Sequence, residues 1–211
     1  MTDRLVAERI NMNIGTNYAT SLGFGKQQVG KNQGVAKTHD ELVNDFYSNI
    51  SSAATISTGE AVGEPIGLTM MRFGNTNQHY GMVASYSAES TSDNPVIRVS
   101  SNYGGQNVAY DVRINEVDPR NASQLEMFAL SSYMDDQGIT DGGSFGTYSK
   151  MKYYGLNASE NGYNINIDDV MEKSDWIGML KEMMSLYFDN SQTYAQGLDC
   201  KKILDVLERI H

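Results

Sequence analysis

The middle of the chain, between Tyr80 and Gly138, carries its clearest pattern of hydrophobic and polar positions. In its most regular segment, apolar side chains (Val108, Tyr110, Val112 and Ile114) alternate with a second set (Ala109, Asp111, Arg113 and Asn115). A period of two with one apolar side is typical of a half-buried antiparallel strand. We therefore expect one face of this strand to lie in the core and the other to face water.

Two further strands are predicted before this one. The run 96–101 is rich in β-branched residues, and the run 80–89 again alternates. Gly104 and Gly105 suit a tight hairpin turn, because glycine adopts positive φ at no steric cost. The apolar run 65–73 is a candidate fourth strand, although Pro65 cannot donate a ladder hydrogen bond. The pattern predicts an antiparallel meander of three or four strands, with one apolar face and one polar, solvent-exposed face.

A helix is predicted directly after the meander. Asp118 followed by Pro119 is a good start signal, and Asn121 with Gln124 is a second one. Apolar residues recur at helical spacing: Leu125, Met127, Phe128, Ala129, Leu130 and Met134. Gly138 is the expected stop. Strands followed by helices predict an α+β fold, with the helices packed on one face of the sheet.

The flanking regions complete the predicted organisation. Residues 1–37 are polar and glycine-rich and read as a mobile arm, whereas residues 38–211 form a single α+β domain. Thr38 and Glu41 match a capping box, which predicts a helix to about Ala54. Residues 139–162 read as a long connection with one short strand or helical turn. Further helices are expected over 175–188, capped by Ser174, and over 199–210 after a break at Gly197.

Composition narrows the class of protein. The chain of 211 residues has a formal net charge of -10, which argues against binding to nucleic acid or to anionic membranes. It contains no run of about 18 apolar residues that would span a membrane. The charge suits a cationic partner. A single cysteine, Cys200, makes an internal disulfide impossible. The charged N-terminus is unlike a secretory signal, so we expect a cytoplasmic protein, with export without a cleavable signal as the alternative.

Four side chains are candidates for binding a small ligand: Asp135, Asp136, Asp141 and His79. Carboxylates suit a hard cation, but their order departs from the EF-hand loop. A solvated helix end followed by a turn explains the three acids more simply. The histidines have no metal-ligand spacing. We therefore assign no catalytic residue, metal or cofactor.

A tyrosine cluster forms a second candidate, this time for contact with a protein. Tyr148, Tyr153 and Tyr154 lie in the predicted connection, and the chain holds 13 tyrosines and 12 methionines. Such residues are enriched at interfaces, although they also fill ordinary cores. The cluster thus predicts either an interaction surface or part of the core.

The run from Val117 to Leu130, VDPRNASQLEMFAL, resembles a segment of a bacterial protein family of unknown function. The resemblance covers only the predicted strand–helix unit. It implies a bacterial origin and brings no activity, cofactor or catalytic residue to this chain.

These observations favour a non-enzymatic protein-interaction or structural module, which binds a protein partner or forms a homo-oligomer. Two alternatives stay open. One is a small-ligand-binding protein or enzyme with a site near the loop after Gly138. The other is an appendage-associated protein that is exported without a cleavable signal.

Overall fold

The computed structural model describes residues 54–56, 61–72, 79–103, 106–160 and 170–210. The chain divides into two compact units, Met1–Gly34 and Val35–His211, and the described residues all belong to the second. The predicted arm, residues 1–37, lies outside the described residues. So does the predicted helix over 38–54, apart from Ala54, which begins the first strand.

Five described strands form one antiparallel sheet in the order β1-β5-β4-β3-β2. They are β1 (Ala54–Ile56), β2 (Ala61–Arg72), β3 (His79–Ser87), β4 (Val96–Tyr103) and β5 (Gln106–Arg113). The predicted meander is confirmed as β2 to β5. Tyr103 pairs with Gln106, and the turn predicted at Gly104 and Gly105 lies outside the described residues. The short strand β1 is added beyond β5, with Ala54 opposite Val112.

Four α-helices follow in the described part of the chain: α1 (Gln124–Asp136), α2 (Gly146–Glu160), α3 (Trp176–Phe188) and α4 (Tyr194–Leu207). Helix α1 packs on the sheet, α2 on α1, α3 on α2 and α4 on α3. The predicted α+β class, with helices on one face of a meander, is therefore confirmed. None of the described helices is long and apolar enough to cross a membrane.

The start of α1 differs from both predicted caps. Ser123 is the N-cap, and its hydroxyl accepts a hydrogen bond from the backbone N–H of Glu126. The Glu126 carboxylate accepts one from the Ser123 N–H at 2.7 Å, which completes a capping box. Asp118 and Asn121 instead form a turn, because the next residues, Ala122–Ser123 (β6), pair with Lys173–Ser174 (β7). A long-range pairing thus delays the helix.

Three other helix predictions were wrong. The N-cap of α3 is Asp175 instead of Ser174, and its carboxylate accepts the Gly178 N–H at 2.8 Å. Residues 146–160 form a full helix instead of a loose connection, and the side chains that anchor it recur at three or four residues: Tyr148, Met151, Tyr154 and Ala158. Gly197 lies inside α4 instead of before it. A Cβ at that position would lie 2.7 Å from the Phe188 ring, so the glycine allows α4 to approach α3 closely.

The two faces of the sheet are less different than the alternation predicts. The first face carries Met82, Val99, Tyr110 and Val112, which are buried as expected, and α1 packs against β2, β3 and β4 on this side. The second face is not exposed to solvent throughout. Ser85 and Arg98 are each 3% exposed, and Asp111 is 7% exposed. Polar character along these strands therefore did not predict exposure.

A buried ion pair lies at the centre of this second face. Arg98 on β4 and Asp111 on β5 are directly opposite each other. The guanidinium donates from Nε to Oδ1 at 2.8 Å and from Nη2 to Oδ2 at 2.7 Å. This two-point geometry is the strongest arrangement available to an arginine and a carboxylate. The pair fixes the register of β4 against β5.

We predict that Asp111→Ala lowers the free energy of unfolding by about 3 kcal/mol, because it leaves a buried guanidinium without this carboxylate. Urea denaturation measures the loss. Glu116→Ala, which removes the exposed partner of Arg113, is the control and should cost under about 1 kcal/mol. Replacing both charges (Arg98→Met with Asp111→Leu) should recover most of the loss; a double variant as unstable as Asp111→Ala contradicts the explanation.

Candidate functional site

Asp135 joins the end of α1 to the start of α2. Its Oδ1 accepts hydrogen bonds from the hydroxyls of Thr140 and Thr147, each at 2.6 Å. Its Oδ2 accepts the backbone N–H of Thr147 at 2.7 Å. Thr147 lies in the first turn of α2, where a carboxylate satisfies free N–H groups and favours the helix dipole. Both oxygens of this candidate ligand are therefore engaged in holding two helices together.

Asp136 faces the sheet. Its Oδ2 accepts a hydrogen bond from the Tyr86 hydroxyl at 2.6 Å and another from Gln137 Nε2 at 3.1 Å. Burial, together with the hydrogen bond to Asp136, raises the pKa of Tyr86 to about 12. The phenol therefore stays protonated at neutral pH and attaches the end of α1 to β3.

Asp141 shapes the connection between α1 and α2. Its carboxylate accepts the backbone N–H of Gly143 at 3.1 Å, which is the bond of an Asx turn. Asp135 and Asp141 belong to the same connection, but the described residues include no group of three His, Cys, Asp or Glu side chains that could hold a metal ion. In the structure, the acidic side chains act as acceptors for nearby backbone and hydroxyl donors.

His79 lies apart from the acidic residues. It is the first residue of β3 and pairs with Arg72 of β2. Tyr86, which contacts Asp136, is seven residues further along the same strand. At about 3.3 Å per residue this places His79 roughly 23 Å from Tyr86. The structure does not bring His79 and the three acids into one site.

The tyrosine cluster is divided between core and surface. Tyr148 is buried, donates to Gln124 Oε1 at 2.8 Å, and meets the Phe128 ring edge-on. Tyr154 is buried and donates to Asp199 Oδ2 at 2.9 Å. Burial raises the pKa of both phenols. Tyr153 is 39% exposed, so the hypothesis of a contact surface depends on this one side chain.

Cys200 is buried inside α4. Burial, with the neighbouring Asp199 carboxylate, raises the pKa of its thiol to about 12. The thiolate is the reactive form, so the raised pKa and the burial both disfavour reaction of this cysteine at neutral pH. The nearby Lys201 and Lys202 do not overcome the effect of burial.

An apolar patch on the second face of the sheet was not singled out from the sequence. We call Leu68 and Met70 of β2 the β2 patch; their side chains are 71% and 45% exposed. Leu68 is opposite Val83 of β3, and Met70 is opposite Gly81, above which there is open space. The signal available in the sequence was the spacing of Leu68 and Met70 two residues apart, on the same side of a strand.

The outer edge of β2 is guarded against pairing with another strand. Lys152 of α2 donates from Nζ to the backbone carbonyl of Met70 at 3.0 Å. The ladder to β3 is interrupted between Val62 and Gly67, where Gly63 has a φ of 79° and Pro65 has no N–H. Lysines, prolines and bulges are the devices that protect edge strands. A partner can therefore contact the side chains of the β2 patch more readily than the backbone of β2.

A groove of about 360 Å³ lies where the turn before α1 meets α3 and α4. It is lined by Asp118, Pro119, Arg120, Ile177, Leu207 and Glu208. Glu208 Oε1 is 2.7 Å from Lys181 Nζ and 3.8 Å from Arg120 Nη2. The groove thus places charges of both signs beside an apolar floor, away from the loop after Gly138.

Comparison with known proteins finds no matching family model, no matching curated protein and no matching solved structure.

We predict that Asp135→Ala destabilises the protein by about 2 kcal/mol, because it removes the cap of α2 and three hydrogen bonds. Urea denaturation measures the change. The matched control is Asp141→Ala, which removes one bond in an exposed turn and should cost under about 1 kcal/mol. Equal losses for the two variants would show that Asp135 has no special structural role.

Proposed function

We propose that this protein is a non-enzymatic protein-interaction module that binds a partner through the β2 patch. The observation that carries the proposal is the exposure of two large apolar side chains, Leu68 and Met70, side by side on an ordered strand. Exposed apolar groups that adjoin each other are favoured sites of protein contact, whereas isolated ones are ordinary. The half-buried Val83 and the bare Gly81 extend the surface next to them.

The protected backbone at the outer edge of β2 determines how a partner can bind. Strand addition requires a run of free backbone donors and acceptors. On β2 the Met70 carbonyl accepts Lys152, and Pro65 offers no donor. The partner therefore contributes apolar side chains that cover Leu68 and Met70, and it does not extend the sheet.

The chemistry of the partner follows from charge. The chain has a net charge of -10, so a second copy is repelled at long range and a cationic protein is attracted. We therefore assign the β2 patch to a basic partner with an apolar centre to its contact surface. A homo-oligomer is the competing outcome, and native mass spectrometry of the untagged protein distinguishes the two.

We predict that Leu68→Ser with Met70→Ser abolishes partner capture while the domain stays folded, because Leu68 is 71% and Met70 is 45% exposed. Tagged full-length protein and the double variant are exposed to an extract of the source cells at low and high salt, and bound proteins are quantified. We expect the wild type to capture a basic protein at low salt. We expect neither the double variant nor the wild type at high salt to retain this protein.

The control for this capture experiment replaces exposed apolar residues elsewhere, Leu186→Ser with Leu198→Ser. This variant should retain the partner, and the purified pair should bind in calorimetry. If the double variant of the β2 patch captures the same proteins as the wild type, the patch is not the contact surface.

A second candidate function is the binding of a small molecule in the groove beside Arg120. The groove offers Arg120 to a carboxylate, Asp118 and Glu208 to an ammonium group, and Ile177 with Leu207 to an apolar side chain. A volume of about 360 Å³ is within the range of small-ligand pockets. These features fit an amino-acid-like zwitterion better than an ion of one sign.

We predict that leucine shifts the NMR signals of residues around Ile177, and that 4-methylpentanoate and isoamylamine, which each lack one charged group, do so more weakly. Arg120→Ala should abolish the effect, whereas Arg113→Ala, which is not among the residues that line the groove, should leave it unchanged. Equal shifts with all three compounds would indicate non-specific contact and would remove this candidate.

The bacterial origin and the cytoplasmic location stay predictions. Export without a cleavable signal is the alternative, and recovery of the protein from the medium or cell surface of intact cells would favour it.

A further inference from the structure

Glu208, the C-cap residue of α4, places its carboxylate between two cations that belong to other parts of the chain. Its Oε1 lies 2.7 Å from Lys181 Nζ of α3 and 3.8 Å from Arg120 Nη2 of the turn before α1. The shorter contact has the length of a charge-assisted hydrogen bond and holds the carboxylate in place. Glu208 also lines the groove. This chain therefore already presents an acid of its own to Arg120, the group that a ligand carboxylate would need.

The described residues that line the groove carry more negative than positive charge. Asp118 and Glu208 supply two carboxylates, whereas Arg120 supplies one guanidinium. Charges act on a bound group mainly at short range, because salt screens them beyond a few residues' distance. The groove as it stands thus favours an ammonium group and disfavours a carboxylate that arrives alone.

The turn that carries Arg120 does not depend on Glu208. The Arg120 N–H donates to Asp118 Oδ1 at 2.9 Å, and the carbonyl of Pro119 accepts the Trp176 N–H at 3.0 Å. The Arg120 and Glu208 side chains are 58% and 37% exposed, and ion pairs between exposed groups contribute little to stability. A substitution of Glu208 should therefore change the charge of the groove while the turn stays folded.

We infer that Glu208 determines the specificity of the groove: it competes with a ligand carboxylate for Arg120, and it selects ligands that also carry an ammonium group. The inference rests on the second candidate function, the binding of a small molecule at this site. A zwitterion satisfies both residues, because its carboxylate pairs with Arg120 and its ammonium group pairs with Glu208. A ligand with a carboxylate alone leaves Glu208 facing a second anion.

The binding of three compounds to Glu208→Gln tests this inference. Leucine, isoamylamine (ammonium group only) and 4-methylpentanoate (carboxylate only) are titrated into the full-length wild type and the variant, and the NMR signals of Ile177 and Leu207 report binding. In the variant, 4-methylpentanoate should bind about fivefold more tightly and isoamylamine about fivefold more weakly, because one negative charge is gone. A loss of structure would weaken both compounds instead of moving them in opposite directions.

A matched control separates the position of the charge from the net charge of the chain. Glu182→Gln removes an exposed acid of α3 that is not among the residues lining the groove. This variant changes the net charge by the same amount and should leave the affinities for all three compounds unchanged. Signals of residues remote from the groove show in the same spectra that both variants are folded.

The outcomes distinguish this inference from the function on which it rests. If leucine does not bind the wild type, the groove is not a site for zwitterions; binding of 4-methylpentanoate to Glu208→Gln alone would still show that Glu208 blocks Arg120. The inference is overturned if Glu208→Gln leaves the affinity for 4-methylpentanoate unchanged or lowers it, or if Glu182→Gln raises that affinity equally.

Discussion

The burial of helix α1 on all its sides is the constraint on which the rest of the described domain depends. Its residues from Gln124 to Ser132 are buried, including the polar Gln124, Glu126, Ser131 and Ser132. A helix that is buried all round needs a layer on each side. The sheet supplies one and α2 the other. At its first turn the polar groups are bonded within the core: Glu126 to Ser123, and Gln124 to Tyr148.

Neighbouring segments hold the acidic side chains at the end of α1. Asp135 is half-buried and Asp136 is exposed, and each accepts hydrogen bonds from outside the helix. Asp135 takes the donors of Thr140 and Thr147, and Asp136 takes the Tyr86 hydroxyl. A carboxylate that is satisfied in this way is a poor starting point for a metal site or a general base. In the structure, these carboxylates therefore serve to connect α1 with β3 and α2.

Two surfaces with different physical character share the second face of the sheet. Around Arg98 and Asp111 the face is polar and buried, and around Leu68 and Met70 it is apolar and exposed. This is the reverse of what hydrophobicity alone suggests. An ion pair survives burial when its geometry is good and its cover is complete, whereas apolar side chains left in water are a cost that contact with a partner removes.

The sequence by itself determined the meander and the apolar residues of its first face. These features depend on neighbours along the chain, because a strand shows its period of two in eight residues. The capping box of Ser123 and Glu126 was also readable, but Asp118 and Asn121 gave equally good local signals. Only the pairing of β6 with β7, some 50 residues apart in the chain, decides between them.

The tertiary structure alone decided the remainder. Helix α2 has many residues of low helix propensity, and its burial against α1 and α3 outweighs that preference. Gly197 reads as a break locally, yet the Phe188 ring requires a residue without a side chain at that point of α4. Whether Asp111, Asp135, Tyr153 or Leu68 is buried depends on which element packs over it. A local pattern records the character of a side chain, whereas its surroundings come from residues far away in the chain.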